Sequence, residues 1–155
     1  MKGRSQYEAY IKAYPNGTLE YTKTGRNLYA LYWEGLTYTV DNNIREGFVV
    51  KSEDSIKFLE EKLPILGLNE RETNEFIMYW LPQLEQNKYN YIRFASMEEI
   101  NNSNALIISP TPDNIIRVLM VFKPLEEKIN IKEQVLETPS RTGFTVVEWG
   151  GVKIK

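Results

Sequence analysis

The sequence predicts an α+β domain: a mainly antiparallel β-sheet with two central amphipathic helices, at about 52–66 and 70–86. Three observations carry that reading. Short apolar and aromatic runs separated by turn residues fill both ends of the chain. The hydrophobic period changes from two to about 3.6 after "GFVV" and returns to two at "YNYIRFAS". No repeat, low-complexity linker or composition shift divides the 155 residues, so they read as a single domain, 1–155.

In chain order, "YEAYIKAY", "TLEYTK" and "NLYALYWEG" read as three strands of a meander. Pro15, Asn16 and Gly17 make the first turn, since proline presets φ while asparagine and glycine accept positive φ. Ser52 is the expected cap of the first helix. Glu53 and Asp54 favour its dipole, and Ile56, Leu59, Leu63 and Leu66 form one stripe. Pro64 is expected to disturb its last turn, and Gly67 to stop it. Asn69 and Glu72 form a capping box for the second helix, whose stripe is Thr73, Phe76, Ile77, Trp80, Leu81 and Leu84; Pro82 kinks or ends it. The return to strands runs through "YNYIRFAS", "ALIIS", "NIIRVLMVF" and "GFTVVEW", with a short helix or loop at "MEEINNSN" and an edge strand at "INIKEQVL". Asp113 in "SPTPDN" reads as a turn cap.

Alternation assigns faces along these strands, and three residues break it. Glu148 shares a face with Phe144 and Val146, Glu34 with Leu28, Ala30 and Tyr32, and Arg117 with Ile115, Leu119 and Val121. A guanidinium keeps its proton, so on an apolar face it needs a carboxylate or several carbonyls. Glu34 and Glu148 are the candidate partners. The same two carboxylates, placed across a cleft, are also candidate catalytic residues of a glycosidase-like hydrolase. Tyr29, Trp33, Tyr89 and Tyr91 are expected on an exposed face, where amphipathic rings can meet a carbohydrate or another protein. The binding candidates are therefore Glu34, Arg117, Glu148, Tyr29, Trp33, Tyr89 and Tyr91.

Composition narrows the chemistry. Histidine and cysteine are both absent, which removes imidazole-based nucleophilic mechanisms and the usual zinc sites; no metal ligand set and no cofactor is expected. There is no phosphate-cradling glycine loop and no calcium loop. Nineteen basic against twenty-one acidic residues, net charge −2, give no cationic footprint for nucleic acid. The acidic start "NERETNE" of the second helix argues against a DNA-reading helix pair. No window approaches the roughly 20 apolar residues of a membrane span. Without a signal-like apolar run after Met1, the chain as it stands reads as cytoplasmic or as part of something longer.

The strings "YALYWEG", "FLEEKLPILGLNERETNEFIMYWLPQLEQNKYNYIRF", "PTPDNIIRVLMVFKPL" and "RTGFTVVEWGG" resemble, in the same order, a family of bacterial proteins found mostly in Gram-positive genomes. Several of its members have export signals or longer surface regions. The resemblance spans about residues 14–151 and implies an exported or surface protein, without assigning an activity. Family members carry a further strand-rich segment, with a "YLYP"-like string, ahead of the matched part, whereas about a dozen residues precede "YPNG" here. The resemblance thus implies an unpaired edge on the first sheet and, through it, a homo-oligomer. The reading these features favour is a non-enzymatic binding or structural module of a bacterial envelope protein, with the carboxylate hydrolase as its alternative.

Overall fold

A computed structural model describes residues 10–33 and 39–155. The chain divides between residues 36 and 37 into two compact units. The first is an antiparallel meander of β1 (Ile11–Ala13), β2 (Leu19–Tyr21) and β3 (Arg26–Leu28). Its strands are shorter than alternation predicts. Leu28 pairs with Leu19, and the residues that would pair beyond it belong to the turn that starts β2, so β3 runs out of partner and residues 29–33 leave the sheet.

The second unit is a five-stranded mixed sheet with helices, an α+β arrangement as the sequence predicts. Its elements are β4 (Glu46–Lys51), a 3₁₀ turn (Ser52–Asp54), α1 (Ser55–Ile65), α2 (Glu70–Leu84), β5 (Tyr89–Phe94), α3 (Met97–Ser103), β6 (Asn114–Leu125), β7 (Lys132–Glu133) and β8 (Thr145–Lys153). The order across the sheet is β7-β4-β5-β6-β8. The β4–β5–β6 centre is antiparallel, whereas the two edges, β7 on β4 and β8 on β6, are parallel. Parallel neighbours need a long connection, and the stretch from β6 to β8 supplies it, visiting β7 on the far edge before returning.

The core lies between one sheet face and the α1–α2 pair. Phe48, Val50, Ile92, Phe94, Ile116, Val118, Met120 and Phe122 meet Leu59, Leu63, Phe76, Ile77, Trp80 and Leu84. In α2 every residue of the expected stripe is buried or packed against this core, and the capping box forms: Glu72 N–H donates to Asn69 Oδ1 at 2.9 Å, and Asn69 N–H to Glu72 Oε2 at 2.8 Å. The α1 stripe needs correction. Leu59 and Leu63 are buried and Leu66 packs on the core as expected, but the first position of the buried line is Ser55, one turn before Leu59, while Ile56 is exposed. Ser52 makes no side-chain cap; its hydroxyl donates to Leu84 O at 3.3 Å and ties the start of α1 to the end of α2.

Two expected strands differ. "ALIIS" is irregular, with Ile107 94% exposed, and the edge strand in "INIKEQVL" contracts to two residues. Beyond β7, Gln134 does with its side chain what a strand would do with its backbone: Oε1 accepts from Phe94 N–H at 2.9 Å and Nε2 donates to Phe94 O at 2.8 Å. Phe94 pairs with Met120 of β6 on one side, and Gln134 thereby supplies the partner that β4 does not reach on the other.

Candidate functional site

The opposite face of the sheet carries the polar exceptions. In the parallel β6–β8 ladder Arg117 lies directly across from Glu148, so both side chains project from the same face. Arg117 Nε donates to Glu148 Oε2 at 2.6 Å, with the arginine side chain 2% exposed and the glutamate 18%. The guanidinium also reaches α3, where Nη1 donates to Asn101 Oδ1 at 2.9 Å and to Asn104 O at 2.7 Å. The charge is therefore met by a carboxylate, an amide oxygen and a backbone carbonyl.

A second buried arginine lies on the same face. Arg93 on β5 grips Glu99 of α3 with two parallel bonds, Nη1 to Oε2 at 2.8 Å and Nη2 to Oε1 at 2.7 Å, and donates to Asp41 O at 2.7 Å. Glu99 Oε1 also accepts from Asp41 N–H at 2.7 Å. α3 buries only Ile100, so it is fastened to the sheet chiefly by two arginines. The sequence held the signal for this pair: Arg93 breaks the Tyr89 and Tyr91 face of its strand as Arg117 breaks its own, and Glu99 follows the Ser96 helix cap by three residues.

The hydrogen bond from Arg93 holds the Glu99 carboxyl below its ordinary 4.5; burial opposes the shift, and the Asp41 amide and the guanidinium charge reinforce it. Glu72 is also depressed: burial would raise it, but bonds from Arg141 and the Asn69 amide outweigh that cost. Arg141 clasps Glu72 at 2.6 and 2.7 Å and donates to Gly67 O at 2.8 Å, anchoring the segment before β8 at the head of α2. A depressed folded value contributes stability above the ordinary carboxylate range and loses it as pH falls through the folded value. Acid titration by circular dichroism should therefore show unfolding setting in below about pH 4.5. Glu99→Gln should be less stable at neutral pH and should flatten that acid limb; an unchanged limb would remove Glu99 from the account.

The remaining candidates separate. Glu34 lies outside the described residues. Tyr29 and Trp33 are 62% and 46% exposed, as expected, in company with Tyr32 at 73%. Tyr89 is half-buried. Tyr91 corrects the reading: it is fully buried, with its hydroxyl donating to Glu46 O at 2.8 Å. β5 is a central strand, and a second, smaller core of Val121 and Ile154, with Val40, Ile44 and Ile131, packs around Tyr91. Alternation identifies the faces of a strand but not that both are covered. Asp113 acts between loops, its carboxylate accepting from Phe144 N–H at 2.7 Å.

Among the described residues no three acidic side chains converge as a metal site would require, and no helix is long and apolar enough to cross a membrane. A groove of about 610 Å³ runs beside β4 and α1 and has none of the candidate residues in its wall. Comparison with known proteins finds no matching family model, no matching curated protein and no matching solved structure.

Proposed function

We propose that the chain is a binding or structural module of a bacterial envelope or surface protein, and that its contact surface is the aromatic run at residues 29–33. The observation that carries the reading is exposure: Tyr29, Leu31, Tyr32 and Trp33 are 62%, 57%, 73% and 46% exposed in one short stretch outside any strand. Large rings exposed close together in sequence mark recognition surfaces, because aromatic side chains contribute large contact areas when a partner covers them. The resemblance to exported bacterial proteins supports the location. The hydrolase reading has less support, since Glu34 lies outside the described residues and Glu148 is engaged by Arg117 at 2.6 Å.

Flat ring faces fit sugar rings, so the first partner class to test is carbohydrate. Binding to an array of glycans and cell-wall fragments is expected at around millimolar affinity or better, and Trp33→Ala should abolish it while leaving the melting temperature in place. No binding by the parent chain at that concentration would eliminate the carbohydrate form.

A further inference from the structure

We propose that the turn between β1 and β2 is a site of spontaneous covalent modification, in which Asn16 loses ammonia and becomes a mixture of aspartate and isoaspartate. Asn16 is followed by glycine, and every other asparagine in the chain is followed by a residue with a side chain. The nucleophile is the Gly17 amide nitrogen. Gly17 has φ +82°, and beyond its two chain neighbours no atom lies within 4 Å of the place a Cβ would occupy, so no more distant residue crowds the turn at the glycine. Both residues are exposed.

The turn also prepares the electrophile. Thr18 N–H donates to Asn16 Oδ1 at 3.0 Å, which polarises the side-chain carbonyl and is placed to hold the negative charge that develops on this oxygen. The Gly17 N–H donates to Tyr14 O at 2.9 Å, so its proton must be removed before attack. Hydroxide takes that proton. The nitrogen then adds to Cγ, the Cγ–Nδ2 bond breaks, and ammonia leaves with a proton from water. The resulting cyclic imide is opened by water at either carbonyl, giving aspartate or isoaspartate. One water is consumed and one ammonia released, with no change of oxidation state. The net charge passes from −2 to −3, one unit more negative for the carboxylate gained.

Isoaspartate inserts a carbon into the backbone where the hairpin is tightest. The Tyr14 N–H to Thr18 O bond and the Asn16 bond to Thr18 cannot both survive it, which releases the adjoining Ala13–Leu19 pair. The full chain, incubated in oxygen-labelled water at mildly alkaline pH and read by peptide mass spectrometry, should convert at Asn16 before any other asparagine. The rate should rise roughly tenfold per pH unit, as the deprotonated amide does. Asn16→Gln, whose longer arm would have to close a larger ring, should stay unconverted over the same interval. Hydrogen exchange should then quicken in β1 and β2 and stay unchanged in β5 and β6. Conversion of another asparagine first, or conversion at Asn16 only when the chain is unfolded in urea, would overturn the proposal; unchanged exchange in β1 and β2 would overturn its structural consequence.

Discussion

Glu148→Gln is expected to destabilise the fold by about 3 kcal/mol, at the lower end of the roughly 3–5 kcal/mol that follows when a buried charge loses its partner. The glutamine carbonyl can still accept from Arg117 Nε, so the lost quantity is charge rather than shape. At this chain length each kcal/mol corresponds to roughly 2–4 °C in melting temperature, which makes the effect easy to measure. Arg117→Met removes the cation and, with it, the bonds to Asn101 and Asn104, so it should loosen α3 as well. The double variant should be more stable than the sum of the two single losses implies, because methionine leaves no stranded charge. The cycle also separates the two readings of Glu148. Loss of a measurable hydrolytic turnover with the melting temperature within about 1 °C of the parent would return Glu148 to catalysis; loss of stability without any turnover to lose leaves it as the counter-charge.

What the sequence made legible follows from how local each signal is. α2 was readable because cap, first-turn acids and stripe all sit between Asn69 and Leu84 and agree. Arg117 was readable because an always-charged group on an apolar face demands a partner wherever it folds. Its actual partner required more. The strand alternation named Glu148 and Glu34 equally, and only the parallel β6–β8 register places Glu148 opposite Arg117. Parallel edge pairing depends on a connection that crosses the sheet, which no local pattern encodes. The end of β3 was illegible for a related reason: a strand lasts only as long as its neighbour, and β2 starts at Leu19. The buried state of Tyr91 depended on residues 40, 44, 131 and 154, drawn from three distant segments.

The two glycines after Trp149 show the same division between local and distant causes, and they yield a sharp contrast. As a sequence, "WGG" reads as the end of a strand, but β8 continues through both glycines to Lys153. Their reason is therefore not a turn. A Cβ at Gly151 would lie 2.7 Å from Trp80 Cζ2, 2.9 Å from Cε2 and 3.0 Å from Cη2, so the absent side chain is what lets the indole lie flat on the strand. Trp80 cannot withdraw easily: Phe76, Tyr79 and Phe122 stand at ring-centre distances of 6.3, 4.9 and 6.0 Å. Gly150 faces the other way, where a Cβ would meet Leu119 at an ordinary 3.9 Å. Gly151→Ala is accordingly expected to cost about 1–3 kcal/mol, the range for overpacking a closed core, while Gly150→Ala should change stability by no more than about 0.5 kcal/mol. Trp80→Leu should lose stability by itself, through the cavity it leaves, yet render Gly151→Ala nearly harmless, because the smaller side chain vacates the space the new methyl needs. Chemical denaturation of the four variants reads this directly. Equal costs at the two glycines would mean that backbone conformation sets their identity; a cost confined to Gly151 and relieved by Trp80→Leu would mean that packing against α2 does.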